Sequence, residues 1–413
     1  MKQQRPYPQV TLTRKGELAL RGGHPWVYYN EIPQAQPARD GELVDLLSPK
    51  GAWLGTGFFN SHSKIRVRVL SRNANDAFDE AFWERRLRYA VEYRQAVMGE
   101  DFPCCRLIFG EADQFPGLTV DLFSHLLVAQ TLSLGIEQRK ELLFPLLVRI
   151  LEEKGIPIQG LYERNDAAIR RLEGMEEGKG FFPLPGKPIP SSPLVTIREN
   201  GLLYQVDVEN GQKTGFFLDQ KYNRQAVARL ARGRRVLDCF THTGSFGMNA
   251  ALGGAQRVVS VDISAAAVEL ARENVRRNGL EDRMEVIEAN VFDLLTQMDE
   301  GQRPDMTAHS FDFIILDPPA FTKSRQTVDS ALRGYREINR RAMHLLPRGG
   351  FLATCSCSHF MTEELFQKML RQAAADAGVA LRQIEARQQG PDHPILWNVP
   401  ETSYLKFYLF QVV

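Results

Sequence analysis

The sequence predicts an α/β fold, because short apolar strands alternate with amphipathic helices through the second half of the chain. The strands are predicted at 235–240, 257–262, 284–289, 313–316 and 350–354. The helices between them are predicted at 264–278, 328–346 and 362–377. Repeated strand–helix–strand units predict a mostly parallel, doubly wound sheet with helices on both faces. Such sheets bind ligands beyond the carboxyl ends of their strands, so that edge is where the chemistry is expected.

Length and composition predict a globular protein of two or three domains. The chain has 413 residues, of which 43% are hydrophobic and 24% charged. No stretch approaches the ~20 apolar residues of a membrane span, and the first residues lack the apolar run of a signal peptide. We therefore expect a cytoplasmic protein without a membrane partner. The five cysteines include no C-x-x-C pair, so neither a disulfide framework nor a metal site is expected.

Residues 1–74 form the first predicted domain, a small β-barrel with one basic edge. Eleven basic and five acidic residues give the segment 1–75 a net charge of +6, which favours a polyanionic partner. In the strand 65–70, alternation directs Ile65, Val67 and Val69 inward. The same alternation directs Arg66 and Arg68 outward, where they would bind the phosphates of RNA.

Residues 75–190 are predicted to be a central α+β domain. It contains predicted helices at 78–98 and 136–154 and predicted strands at 105–109, 118–123, 126–131 and 160–163. The proline-rich run 182–190 breaks regular structure and is interpreted as a linker. The third predicted domain, residues 191–413, includes a leading β-hairpin.

The segment 236–247 has the pattern of a strand, a loop and a helix start. Thr243, Gly244 and Ser245 are small enough to let a ligand approach the backbone closely. A dinucleotide site is disfavoured, because the loop lacks G-x-G-x-x-G and Asp238 would repel a pyrophosphate. A carboxylate there suits a ligand with an ammonium group, such as S-adenosylmethionine. Asp262 ends the next strand, where it can accept hydrogen bonds from ribose hydroxyls.

Two further groups converge at the same sheet edge. Asp317-Pro318-Pro319 follows the fourth strand, and Thr354-Cys355-Ser356-Cys357-Ser358 follows the fifth. An Asp-Pro-Pro turn is also used by amino-group methyltransferases, whereas a cysteine at this place favours covalent catalysis. Alternation places Cys355 and Cys357 on one face, with Cys357 further beyond the strand.

These motifs, together with residues 214–220, resemble the bacterial large-subunit ribosomal RNA cytosine-5-methyltransferases, members of the class I methyltransferases. The resemblance covers the whole chain. Arg14-Lys15-Gly16 and His24-Pro25-Trp26-Val27 are similar to that family's N-terminal PUA-type RNA-binding domain. The resemblance implies a Rossmann-like C-terminal domain, S-adenosylmethionine as cofactor with S-adenosylhomocysteine as product, and ribosomal RNA as partner. A homodimer is left open.

The resemblance also implies site residues. It favours Cys357 as the nucleophile. It favours Asp317 as the group that contacts the ring nitrogen and the amino group of cytosine and stabilises charge during the addition. The implied cofactor pocket contains Gln220, Asp238, Phe240, Thr241, Thr243, Gly244, Phe246, Asp262, Ile263, Asn290, Asp317 and Pro318. At Asn290 relatives commonly carry Asp, and the amide oxygen can still accept from the adenine amino group. The expected RNA contacts are Trp26, Arg66, Arg68, Lys213 and Lys323.

The function predicted from these features is the formation of 5-methylcytidine in large-subunit ribosomal RNA. Two alternatives stay open at this point. The first is an RNA amino- or ring-nitrogen methyltransferase that uses the Asp-Pro-Pro turn. The second is a non-catalytic RNA-binding or ribosome assembly factor that retains a cofactor pocket.

Overall fold

A computed structural model describes residues 5–33, 38–322 and 324–413. The chain divides into two compact units. The first comprises Met1–Ile197, Val206–Leu218 and Pro391–Thr402, and the second comprises Arg198–Gln205, Asp219–Gly390 and Ser403–Val413. Within the described ranges, no helix has both the length and the apolar character that crossing a membrane requires.

The first unit begins with a five-stranded sheet in the order β1-β3-β4-β5-β2. Its strands are β1 (Gln9–Thr11), β2 (Trp26–Tyr28), β3 (Leu43–Leu47), β4 (Trp53–Phe59) and β5 (Ile65–Ser71). Apolar residues that alternate along these strands form one core, in which Val10, Val44 and Val67 are fully buried. Helix α1 (Arg14–Arg21) is an element that the sequence analysis did not predict. Thr13 caps α1 by accepting a hydrogen bond from the Gly16 amide at 3.2 Å.

The prediction that Arg68 points outward is wrong. The residue is only 8% exposed, and its guanidinium forms ion pairs with Glu111 at 3.2 Å and Glu173 at 2.9 Å. Both carboxylates belong to the segment that follows this sheet. Strand alternation shows which face of the sheet Arg68 lies on, but it does not show that a later part of the chain covers that face. Arg66 is half-buried and donates to the Asn60 carbonyl at 3.2 Å. Neither arginine extends freely into solvent.

Arg68→Gln is therefore expected to destabilise the protein. The change leaves the Glu173 carboxylate, which is 3% exposed, without its cation, and breaking a buried pair in this way costs about 3 kcal/mol. Arg66→Gln is the matched control on the same strand, with an expected loss below about 1 kcal/mol. Urea unfolding monitored by fluorescence compares the two variants. Equal stability of the two would contradict a structural role for Arg68.

The first unit continues with helix α2 (Glu80–Met98) and a second five-stranded sheet, in the order β10-β9-β8-β7-β6. The strands are β6 (Cys104–Phe109), β7 (Leu118–Phe123), β8 (Leu126–Thr131), β9 (Gly160–Asn165) and β10 (Gly178–Phe182). The helix predicted at 136–154 is two helices, α3 (Leu134–Glu137) and α4 (Lys140–Glu153). After Phe182 the run predicted as a linker has no regular structure.

A two-stranded hairpin, β11 (Leu194–Glu199) and β12 (Leu202–Asp207), precedes the seven-stranded sheet of the second unit. The strands of that sheet are β13 (Arg235–Cys239), β14 (Arg257–Asp262), β15 (Met284–Glu288), β16 (Phe313–Leu316), β17 (Phe351–Ser356), β18 (Leu381–Arg387) and β19 (Lys406–Val412). The helices are α5 (Lys221–Leu230), α6 (Ser245–Leu252), α7 (Ala265–Arg277), α8 (Val291–Asp299), α9 (Val328–Leu345) and α10 (Glu363–Asp376). The predicted α/β fold is thereby confirmed.

The sheet order is β15-β14-β13-β16-β17-β19-β18, and β13 to β17 are all parallel. Strand β19 is antiparallel to both of its neighbours, β17 and β18. Its register pairs Lys406 with Ser356, the last residue of β17. The carboxyl ends of β16 and β17 therefore lie side by side, with the start of β19 next to them.

Candidate active site

The loop after β13 has a backbone that few side chains adopt. Phe240 and His242 have positive φ angles of 63° and 51°, and Gly244 follows at 82°. The loop is held to β14, because the Thr241 amide donates to the Val261 carbonyl at 2.9 Å and the His242 amide donates to Asp262 at 2.9 Å. This strained turn brings the start of α6 close to the sheet, which is the geometry that a closely approaching ligand requires.

Asp238 lies beneath this turn and is fully buried. Its Oδ2 accepts hydrogen bonds from the Gly247 amide and the Ser260 hydroxyl, both at 2.9 Å, and from the Thr241 hydroxyl. Its Oδ1 is buried and has no hydrogen-bond partner among the described residues. Burial raises the pKa of Asp238 to about 6, and the three hydrogen bonds oppose that rise. A buried carboxylate oxygen without a donor fits the approach of a cationic ligand.

Glycine is needed at 247 because α6 packs tightly on the sheet there. A Cβ atom at this position would lie 2.2 Å from the Ser260 hydroxyl oxygen and 2.9 Å from Asp238 Oδ2. The neighbouring Phe246 is 3% exposed and its ring stacks on Phe407 at 6.3 Å. The Phe246 ring therefore packs in the core, and a contact between this residue and the cofactor stays a prediction.

Asp262 ends β14 and retains acceptor capacity. Its two oxygens accept from the amides of His242 and Ser264 at 2.9 and 3.0 Å, and a carboxylate can accept further hydrogen bonds. The next residue, Ile263, is 68% exposed and offers an apolar surface beside that carboxylate. The side chain of Asn290 caps α8, since its Oδ1 accepts from the Phe292 amide at 2.9 Å. One lone pair of the amide oxygen predicted to contact adenine is thus already used.

Asp317 directly follows β16 and is positioned by a relay of side chains. Gln220 donates to Asp317 Oδ1 at 3.0 Å, Asn223 donates to the Gln220 oxygen at 2.6 Å, and Arg387 donates to Asn223 at 3.1 Å. Removal from water, with Asp219 and Asp238 nearby, raises the pKa of Asp317 to about 7. Near neutral pH this carboxyl group can therefore hold a proton or release one.

The loop after β17 is fixed by the two serines that flank Cys357. The Ser356 hydroxyl donates to the Tyr335 hydroxyl of α9 at 3.1 Å. The Ser358 hydroxyl donates at 2.8 Å to the carbonyl of Thr322, in the segment after the Asp-Pro-Pro turn. The Ser358 bond joins the loop that carries Cys357 to the segment after Asp317, and the Ser356 bond joins the end of β17 to α9, so the two serines hold the thiol in place from both sides.

The two candidate cysteines differ in burial. Cys355 is fully buried within β17, where its thiol interacts with Asp317 and Gln220. Burial and the neighbouring Asp317 raise the pKa of the Cys355 thiol well above its ordinary value. Cys357 follows the strand and is partly exposed, whereas Cys104, Cys105 and Cys239 are buried like Cys355. Of the two, Cys357 is the accessible thiol.

Lys406 is a site residue that the sequence analysis missed. It is 8% exposed, and its amine donates to the carbonyls of Ser358 at 2.7 Å and Tyr404 at 2.8 Å. The signal in the sequence was a single charged residue inside the apolar run 404–410. No strand was predicted there, so nothing connected this lysine to the cysteine loop.

The structure brings together two of the residues predicted to contact RNA, because Trp26 pairs with Arg68 across β2 and β5 and the Arg68 guanidinium lies 5.7 Å from the centre of the Trp26 ring. The Trp26 indole donates to Glu111 at 2.8 Å, and its ring packs edge-on against Tyr28. The Lys213 amine lies 4.6 Å from the centre of the Phe217 ring, and the residue is exposed. Lys323 lies outside the described residues. RNA binding by these side chains stays a prediction.

Comparison with known proteins connects this geometry to a family. Residues 184–411 match the model described as S-adenosylmethionine-dependent methyltransferase. The chain belongs to this family of methyltransferases. Residues 10–72 of this methyltransferase match the model of a PUA-like domain.

Full-length relatives agree with this assignment. Ribosomal RNA large subunit methyltransferase I of Klebsiella pneumoniae (strain 342) is 38% identical over 411 residues, 98% of this chain and 99% of that protein. The protein of the same name from Salmonella arizonae is 39% identical over 410 residues, 98% of each chain. The resemblance to the bacterial large-subunit ribosomal RNA methyltransferases is confirmed.

Solved structures share the fold of this methyltransferase. A Streptococcus mutans protein described as an S-adenosylmethionine-dependent methyltransferase has a TM-score of 0.80 at 20% identity, covering 98% of this chain and 100% of the other. A methyltransferase complexed with S-adenosylhomocysteine has a TM-score of 0.81 at 21% identity, with the same coverage. The cofactor of this methyltransferase is S-adenosylmethionine, and the unpartnered Oδ1 of Asp238 fits its ammonium group.

Proposed function

We propose that this methyltransferase forms 5-methylcytidine in large-subunit ribosomal RNA through a covalent adduct between Cys357 and carbon 6 of the base. The observation that carries the proposal is a partly exposed thiol directly after β17, at the same sheet edge as the Asp317 carboxyl, which directly follows the neighbouring strand β16. The relatives at 38–39% identity, named as ribosomal RNA large subunit methyltransferases, support the choice of RNA.

The chemistry explains why a thiol is needed. Carbon 5 of cytosine is too weak a nucleophile to attack a sulfonium methyl group unaided. Addition of the Cys357 thiolate to carbon 6 forms a C–S bond and moves electron density to carbon 5 and to ring nitrogen 3. Protonated Asp317 donates to that nitrogen, so the charge does not build up in the ring. Bound S-adenosylmethionine supplies the methyl group that carbon 5 takes.

The release step regenerates the thiolate. A base removes the proton from carbon 5, the electron pair restores the 5,6 double bond, and the C–S bond breaks with its pair left on sulfur. Asp317 takes back the proton from nitrogen 3 in the same step. A carboxyl group with a pKa of about 7 suits both directions of this transfer.

The cofactor pocket is proposed along the ends of β13 and β14. Asp262 would accept from the ribose hydroxyls, and Ile263 would pack against the adenine. Asp238 and the Gln220 relay would hold the methionine end near Asp317. Asn290 would contact the adenine edge with the remaining lone pair of its amide oxygen.

The product decides between the proposed function and its rivals. The purified protein is incubated with S-adenosylmethionine and large-subunit ribosomal RNA from cells that lack this enzyme, and the RNA is digested and analysed by mass spectrometry. We expect 5-methylcytidine at one site. A methylated amino group or ring nitrogen would support the first alternative, and cofactor binding without any methylated product would support the second.

A further inference from the structure

The buried amine of Lys406 lies at the loop that carries Cys357. Strand register places Lys406 opposite Ser356, the residue before Cys357. Its Nζ donates at 2.7 Å to the carbonyl of Ser358, the residue after Cys357. Lys406 is thus fixed to the residues on either side of the thiol, its backbone through strand pairing with Ser356 and its amine through a hydrogen bond to Ser358.

The surroundings of Lys406 do not neutralise its charge. Within the described parts of the chain, its hydrogen bonds go to two carbonyl oxygens and it forms no ion pair with a carboxylate. Burying an ammonium group in this way is unfavourable, and burial lowers the pKa of Lys406 to about 8. Cys357 and Glu363 are the two groups whose negative charge opposes that decrease. A purely structural site would be better filled by an apolar residue.

We propose that the Lys406 ammonium stabilises the thiolate form of Cys357 and so prepares it for attack on the pyrimidine. The inference rests on the proposed function for its purpose, because Lys406 acts through Cys357 and is a positioning residue. A cation beside a cysteine lowers the free energy of the thiolate relative to the thiol. The proton leaves to solvent before the RNA base arrives, and the amine keeps its own proton.

Three other titratable groups described near the thiol carry no positive charge. Asp317 of the neighbouring loop has a pKa of about 7, and burial raises the pKa of Cys355. Burial also raises the pKa of Tyr335, which faces Cys357 from α9. Each of these groups either is neutral near pH 7 or would oppose a thiolate. Glu363 on α10 faces Lys406 and favours its charged form.

Alkylation of the native protein tests the inference without RNA. Iodoacetamide reacts with thiolates, and Cys357 is the partly exposed thiol of the five, so mass spectrometry of tryptic peptides gives its rate from pH 5.5 to 10. In Lys406→Met the midpoint of the rate profile is expected to rise by about one pH unit, which slows alkylation at pH 7 about threefold to tenfold. Lys406→Arg should restore the midpoint, and the exposed Lys368→Met is the matched control.

A reciprocal measurement does not depend on the folding of the Lys406 variants. The titration of Lys406 is followed by NMR of lysine labelled at its ε-carbon, in the wild type and in Cys357→Ala. We expect the pH at which Lys406 titrates to fall when the thiolate is absent. Unchanged midpoints in both measurements would overturn the inference. If the midpoints move but no 5-methylcytidine forms, the proposed function fails while the thiolate pairing stands.

Discussion

Cys357→Ala is expected to abolish methyl transfer while binding of S-adenosylmethionine and RNA stays near the wild-type level. Without the thiol no bond to carbon 6 forms, and carbon 5 stays too weak a nucleophile. Cys355→Ala is the matched control, two residues away and fully buried. It should keep most of the activity and lose about 1 kcal/mol of stability from packing. The methyl transfer activity of both variants is measured as the incorporation of a radioactive methyl group into RNA.

RNA containing 5-fluorocytidine tests the covalent step itself. Fluorine at carbon 5 cannot leave as a proton does, so the adduct with the enzyme should persist through denaturing electrophoresis. We expect the adduct with the wild type and with Cys355→Ala, and none with Cys357→Ala. An adduct that survives in Cys357→Ala and is lost in Cys355→Ala would reverse the assignment of the nucleophile.

Asp317→Asn should slow methyl transfer about 10²-fold or more, because the amide still donates a hydrogen bond to nitrogen 3 but transfers no proton. The same variant should be more stable than the wild type at neutral pH. An aspartic acid titrates near pH 4 when unfolded, whereas the pKa of Asp317 in the folded protein is about 7. Ionising this carboxyl group therefore opposes folding.

Because the pKa of Asp317 is raised on folding, the difference in stability between the wild type and Asp317→Asn depends on pH. Below about pH 4 Asp317 is protonated in both states, so the wild type and Asp317→Asn should be equally stable. Between pH 4 and 7 the wild type loses stability, and above pH 7 the difference should level off at about 2–4 kcal/mol. Urea unfolding at pH 4, 6 and 8 measures the difference. A difference that does not depend on pH would contradict a raised pKa at Asp317.

Sequence periodicity predicts the parallel part of the sheet because each of its strands is a short, continuous run of mostly apolar residues. The predicted strands 257–262 and 313–316 coincide with β14 and β16. The ends of parallel strands share one edge, so the sequence alone predicts that Asp317 and Cys357 lie at the same edge of the sheet. That part of the site follows from local pattern and a general rule of topology.

The features that the sequence did not predict depend on partners far away in the chain. Strand alternation predicts an outward side chain at Arg68. In the structure this side chain is covered by Glu111 and Glu173, which lie 43 and 105 positions away in the chain. Lys406 reaches the cysteine loop only because β19 enters the sheet antiparallel beside β17. Pairwise contacts of this kind leave no periodicity in a single sequence.

The position of β19 has a consequence for the order in which the molecule is assembled. Strand β19 follows both β17 and β18 in the chain but lies between them in the sheet. During synthesis β17 therefore emerges from the ribosome with one side unpaired, and it stays an open edge until residue 406 and those after it are available. The lysine beside Cys357 arrives with the same strand. An unfinished chain thus carries its thiol without the neighbouring cation, and the reactive form of the cysteine belongs to the completed protein.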